Sequence, residues 1–241
     1  EFYTARFFHV VETFEPTVVG VSLNFMSQAL CAFALIGMLR RGFPRVQVVV
    51  GGGLVTSWMR RPGWHNPFAG LIDVMVDGAG EGALLALAGV ESTTHDRVPA
   101  DFKDMDWESY LAPGPILPFS GSSGCYWNRC AFCPEKAEGN PYRPLKPGRA
   151  VELLGHHIET EQPALIHFLD NAMSPSLLKV LCRHRLPVPW YGFVRVSREL
   201  TDSDFCMELR QAGCVMLKLG IESGSQKVLD GEGKGIEVRM A

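Results

Sequence analysis

The chain has 241 residues, 23 of them basic and 26 acidic for a formal net charge of −3, with 46% hydrophobic and 20% charged side chains. That composition excludes a disordered or fibrous protein, and the balanced charge leaves no field of one sign to draw a nucleic acid or an anionic membrane surface. The longest apolar stretch, Ala29 to Leu39, is half the roughly 20 residues a membrane span needs, and charges interrupt every apolar run of the opening EFYTARFFHVVETF, so neither a span nor a signal peptide is expected.

Residues 1 to 15 place Ala5, Phe8 and Val11 at helical spacing, and Pro16 ends that helix before a β-branched run from Thr17 to Val21. A second apolar helix is expected from Ser27 to Arg41, where Arg40 and Arg41 suit a helix C-terminus and Gly42 reads as its cap. Val46 to Val50 resembles a strand buried on both faces, closed by Gly51, Gly52 and Gly53. After a loop from Arg61 to Gly70, a strand from Ile72 to Val76 and a short helix from Glu81 to Leu87 continue the alternation. Gly78-Ala-Gly-Glu-Gly lacks the dinucleotide spacing and reads as a tight strand-to-helix turn. Repeated βα alternation implies an α/β domain over residues 1–90.

Residues 91–114 are polar, acidic and proline-containing and read as a linker. A second βα series is expected over 115–241: strands at 116–120, 165–169, 191–196 and 215–221, with helices at 149–160, 175–183 and 203–212. Ser174 with Pro175 marks one helix start, Thr201 with Asp204 resembles a capping box at another, and Gly213 marks an end.

Seven cysteines, odd in number and unevenly spaced, argue against a secreted disulfide framework and for a reducing, cytoplasmic setting. Cys31, Cys182, Cys206 and Cys214 lie among mostly apolar neighbours and read as small buried hydrophobes. Cys125, Cys130 and Cys133 instead crowd into SGSSGCYWNRCAFCPE as C-x4-C-x2-C after a strand. Three thiols can meet one metal centre, but structural zinc takes four ligands and electron-transfer clusters usually four cysteines. One metal position would stay open.

The loop resembles that of the radical S-adenosylmethionine enzymes, whose cysteine triplet carries an aromatic before its last member, here Phe132. The family's commonest first gap is one residue shorter. Phe168-Leu-Asp-Asn, Val194-Arg-Val and Leu219-Gly-Ile-Glu-Ser-Gly-Ser resemble its second-, third- and fourth-strand ends, in the right order over residues 115 to 235. The resemblance implies a partial TIM-like (β/α) barrel with chemistry at the strand C-termini. It implies a [4Fe-4S] cluster on Cys125, Cys130 and Cys133, with the open iron chelating S-adenosylmethionine. Glu222 would meet the ribose hydroxyls, Ser223 and Ser225 the region of the carboxylate, Asp170 or Asn171 the methionine amine, and Arg195 the carboxylate. It further implies an external electron donor such as flavodoxin or ferredoxin, and an unknown substrate. The family core has six βα units, so further chain is expected after strand four.

Val19-Gly-Val-Ser-Leu and Val48-Val-Val-Gly-Gly-Gly resemble the later part of a cobalamin-binding domain of flavodoxin-like (Rossmann-like) fold, with Ser22, Leu23, Gly51, Gly52 and Gly53 near the cofactor's nucleotide tail. That family's Asp-x-His-x-x-Gly loop has no match, so either an earlier portion lies outside this sequence or cobalamin binds without a histidine. Together the resemblances imply cobalamin-dependent methyl transfer. Alternatives are a radical enzyme without cobalamin, of methylthiotransferase or rearrangement type, and a non-catalytic zinc or iron-sulfur module.

Overall fold

The computed structural model describes residues 2–90 and 100–241 and divides the chain into two compact units, Glu1–Asp96 and Arg97–Ala241. The first unit runs α1 (Phe2–Phe14), β1 (Val18–Ser22), α2 (Met26–Gly42), β2 (Gln47–Gly51), α3 (Gly53–Met59), β3 (Val74–Met75) and α4 (Glu81–Leu87). Its strands form a parallel sheet in the order β1-β2-β3. Val48, Val49 and Val50 are all buried, as a central strand covered on both faces requires. Ile36 and Leu39 of α2 and Val55 of α3 share a core with Val48 and Val50.

Three expectations are corrected here. Gly42 is the last residue of α2, and Phe43 is the cap. A Cβ at 42 would lie 3.1 Å from the Phe8 ring, a tight contact that the ring would have to ease. The strand expected at 72–76 shrinks to two residues, while the Asp73 carboxylate accepts the Val48 N–H at 2.6 Å and pairs with Arg40. Both contacts hold its pKa below the usual value, the backbone hydrogen bond most. Helix α3, which the glycine run concealed, starts at Gly53.

Residues 91–99 of the expected linker lie outside the described residues. Within 100–114, Phe102 packs on the second unit's core and meets the His157 ring edge-on at 5.3 Å. The unit continues as β4 (Ile116–Phe119), β5 (Ser122–Ser123), α5 (Pro134–Glu138), β6 (Arg143–Pro144), α6 (Pro147–Glu161), β7 (Leu165–Phe168), α7 (Pro175–His184), β8 (Trp190–Val194), α8 (Ser203–Gln211), β9 (Cys214–Leu219) and α9 (Gln226–Gly231). β4, β7, β8 and β9 form a parallel sheet in that order, while β5 and β6 pair antiparallel.

Side chains alternate across this sheet with period two. Leu117, Phe119, Ile166, Phe168, Trp190 and Val194 are buried and pack against Leu154 of α6, Leu178 and Leu181 of α7 and Leu209 of α8. Each such side chain contributes about 1.5–3 kcal/mol by leaving water. Their alternates, including His167, Tyr191 and Phe193, lie on the face without helices and stay half-buried or exposed. The Ser174 hydroxyl caps α7 by accepting the Leu177 N–H, but α8 is capped by Asp202 rather than Thr201. Asp202 follows a 3-10 turn, Arg198–Thr201, which carries Thr201 away from the cap position.

The fold class is thus mixed α/β with parallel sheets, as expected. Of the scattered cysteines, Cys214 is buried, and burial pushes its thiol up to about 11. Cys182 is half-buried, whereas Cys31 and Cys206 are exposed. Their apolar neighbours are divided: Leu30 and Met207 are exposed with them, while Ala32 is buried, because a helix turns adjacent residues about 100° apart and only part of an apolar run faces the core. Among the described residues no helix is long and apolar enough to cross a membrane.

Candidate metal and cofactor site

The cysteine loop leaves the carboxyl edge of the second sheet through a turn fixed from β7. Asp170, just beyond β7 and 2% exposed, accepts the Gly121 N–H at 2.8 Å and the Ser122 hydroxyl at 2.5 Å. A carboxylate with buried donors on both oxygens is a rigid post. Gly124 then takes φ +68°, and a Cβ there would lie 2.6 Å from the Pro141 carbonyl, so no other residue fits at the mouth of the loop. Cys125 is half-buried, Cys130 buried, and Cys133, half-buried, precedes Pro134 as the N-cap residue of α5.

Behind the thiols lies a network built from three distant segments. Arg195, at the end of β8 and 8% exposed, donates to Cys130 Sγ at 3.9 Å and to the Lys234 carbonyl, and its guanidinium stacks 4.1 Å from the Trp127 ring centre. The Trp127 indole N–H donates to the Gly233 carbonyl at 2.9 Å, and the Ala131 N–H to the Glu232 carbonyl at 2.8 Å. Gly235 faces the indole so closely that any Cβ would run into the ring. The Lys234 ammonium, itself buried, reaches Glu222 Oε1 at 2.8 Å and lies 5.7 Å from the Phe132 ring centre.

The structure therefore links Cys130, Phe132, Arg195 and Glu222 through Lys234, with Cys125 and Cys133 on the same loop as Cys130. Glu222 follows β9 in a left-handed conformation, φ +66°, and its side chain is 38% exposed, so lone pairs remain beyond the bond to Lys234. Arg195 is turned into the support of the loop, and Asp170 is occupied with the turn before it. Asn171 is exposed. Ser223 accepts the Ser225 N–H on its hydroxyl at 3.1 Å, and both precede α9. Trp127, Lys234, Gly233 and Gly235 went unmarked as site residues in the sequence; the glycines flanking Lys234 were the available signal.

The donor chemistry suits a metal cluster: three thiols on one loop, the most buried within hydrogen-bond reach of the Arg195 guanidinium. Their side chains are not gathered on one point, for among the described residues no three His, Cys, Asp or Glu side chains are arranged to hold a metal ion.

In the first unit, Ser22, Leu23, Gly51, Gly52 and Gly53 also meet at the carboxyl edge of their sheet. The Leu23 N–H donates to the Gly51 carbonyl at 2.8 Å, and the Gly53 N–H to Asn24 Oδ1 at 3.0 Å. Gly52 has φ +102°, and a Cβ there would lie 2.6 Å from the Leu23 carbonyl. A Cβ on Gly51 would press on Val76 at 3.3 Å. Gly51 and Gly52 are thus accounted for by the chain's packing on itself. Asn24 is a further member of this edge that the sequence did not single out.

No protein-family model matches the chain, and no curated protein sequence does. Among solved structures it is similar to the apo form of a cobalamin-dependent S-adenosylmethionine radical enzyme, OxsB, with a TM-score of 0.65 and 18% sequence identity, over 98% of this chain and 40% of that one. At that identity the likeness is one of fold, and this chain spans less than half of that enzyme's length.

Proposed function

We propose that the protein is a radical S-adenosylmethionine enzyme whose Cys125, Cys130 and Cys133 hold a [4Fe-4S] cluster with one iron open to the co-substrate. The observation that carries this reading is the knitting of the cysteine loop to Arg195 and to the Lys234–Glu222 pair at the carboxyl edge of a parallel sheet. Ligand sites of parallel α/β folds collect at that edge. The fold likeness to a radical enzyme supports it. In this reading the second unit is the first part of a TIM-like barrel, and the protein works in the reducing cytoplasm.

With an electron from a donor such as reduced flavodoxin or ferredoxin, a bound cluster supplies reductive cleavage of the sulfonium carbon–sulfur bond, releasing methionine and a 5'-deoxyadenosyl radical that takes hydrogen from a substrate. The chain's own residues position and shield. Arg195 and Trp127 keep the loop in place and set a cation beside Cys130. Glu222, steadied by Lys234, offers its remaining lone pairs to the ribose hydroxyls. Asn171, exposed at the same edge, offers its side-chain oxygen to the methionine amine, with Ser223 and Ser225 beside the carboxylate. Phe132, half exposed, screens one side of the loop from water.

The flavodoxin-like reading of the first unit, with cobalamin at Ser22, Leu23 and Gly51 to Gly53 and methyl transfer as the outcome, rests on the fold likeness. Anaerobic reconstitution with iron and sulfide is expected to give a brown protein with about four irons per chain. With dithionite it should form 5'-deoxyadenosine, and Cys125→Ala, Cys130→Ala or Cys133→Ala should abolish it. Zinc in place of iron, or 5'-deoxyadenosine from the Cys130→Ala variant, overturns the reading. A corrinoid spectrum retained after hydroxocobalamin and gel filtration tests the first unit.

A further inference from the structure

The face of the β4-β7-β8-β9 sheet that carries no helix holds side chains that neither the core nor the cysteine loop uses. One register row crosses it as Pro118, His167, Tyr191 and Met216. The next row, toward the carboxyl ends of the strands, sets Phe193 beside Lys218. His167 lies flat on Tyr191, with ring centres 4.3 Å apart and planes 8° from parallel. The Lys218 ammonium is 5.2 Å from the centre of Tyr191 and 5.0 Å from that of Phe193.

Two of these groups lack the partner their chemistry asks for. Among the described residues Lys218 has no acidic side chain within ion-pair distance. His167 Nε2 is shut off from solvent with no hydrogen-bond partner. Buried polar atoms in native proteins are almost always paired, so an exception points to a partner that arrives from outside. A face meant only to be covered would carry leucine or valine at both positions. Instead it carries a cation and an imidazole over aromatic rings. Burial, with Lys218 adding to it, holds the His167 pKa below 6.5, so the ring is neutral at pH 7 and carries one ring N–H.

We infer that this face binds a small molecule bearing an oxyanion, a carboxylate or a phosphate group, with the Lys218 ammonium as counter-charge, the His167 ring beside it and the rings of Tyr191 and Phe193 as an apolar floor. The charge is complementary, and aromatic rings beside a cation suit a ligand with an apolar or planar body. His167, Phe193 and Lys218 sit three, two and four residues before Asp170, Arg195 and Glu222 on their strands. The ligand would therefore lie just below the carboxyl edge. Its role as the substrate rests on the function proposed above; its binding does not.

The test is an NMR titration of protein labelled with ¹⁵N-histidine, free of iron and S-adenosylmethionine, with inorganic phosphate in one arm and acetate in the other at constant ionic strength. The His167 ring signals are expected to shift saturably, Lys218→Met to weaken the effect tenfold or more, and Lys218→Arg to keep it. A response to only one anion identifies the group, and a response to both establishes the shared oxyanion chemistry. No saturable shift with either anion, or an undiminished one in Lys218→Met, overturns the inference. His167→Gln supplies a second variant, read by loss of phosphate or acetate binding in calorimetry. Because no cluster is needed, anion binding lost while the reconstituted wild-type protein still forms 5'-deoxyadenosine removes this site alone. The converse removes the proposed function and leaves the site.

Discussion

The central strand of the first unit's sheet, β2, is buried on both faces, and β8 of the second unit's sheet is not. Val48, Val49 and Val50 are each under 5% exposed, so every residue of that stretch serves packing. In β8, by contrast, Trp190, Gly192 and Val194 are buried while Tyr191 between them is half-buried and Phe193 is 44% exposed. A strand with one open face divides its residues between stability and recognition, and substitutions can tell the two sets apart.

The sharpest break in that division is Trp190→Ala. The indole is fully buried, meets Phe168 edge-on at 5.5 Å and donates to the Ala212 carbonyl at 2.9 Å. Its loss should cost about 3–5 kcal/mol, whereas Phe193→Ala, three residues along the same strand, should cost under about 1 kcal/mol. Urea unfolding of both decides, and equal losses would show the open face to be core. Asp170→Ala should cost about 1–3 kcal/mol, because the Gly121 N–H and Ser122 hydroxyl lose their buried acceptor. It should also lower the iron retained after reconstitution, and unchanged iron would detach that post from the loop.

Gly52→Ala carries the comparison to the first unit. Strain at φ +102° and the approach to the Leu23 carbonyl should cost about 1–3 kcal/mol. Hydrogen exchange is expected to quicken in β1 and β2 while the second unit keeps its protection. The smallest expected effect is on pH dependence. His157 is buried, and that burial, with His156 adding to it, holds its pKa below the usual 6.5. As pH falls below about 6.5 the unfolded chain takes up a proton that the folded chain resists. Stability should decline until the folded pKa is passed and then level off, with His167 acting in the same direction. The urea midpoint should be lower at pH 5.5 than at 7.5, and His157→Gln should reduce that difference.

What the sequence showed well was anything encoded locally. The valine run of β2 and the Ser174-Pro175 start of α7 each carry their own signal, and the structure has both. So does the cysteine triplet, recognisable by spacing. What it hid depends on partners far along the chain. Helix α3 begins on Gly53 because Asn24, from the loop after β1, accepts its N–H. Cys31 and Cys206 mislead because an apolar run along a helix turns part of itself outward, as the exposed Leu30 and Met207 beside them show. Arg195 is expected to contact a ligand yet lies within the loop's support, because Trp127 and Lys234 come to it from either side in sequence. Periodicity says which face a residue occupies and nothing about what will cover it.

The indole of Trp127 and the carbonyl of Gly233 are separated by 106 positions. At a ribosomal rate of about 5–20 residues per second, the thiols are made roughly 5–20 seconds before the glycine that seats their tryptophan. Through that interval the nascent loop has its sulfurs but not its seat, so under the function proposed above a cluster delivered early would meet the thiols before the tryptophan is seated. The order in which thiols and seat are made is therefore set by where Gly233 falls in the chain.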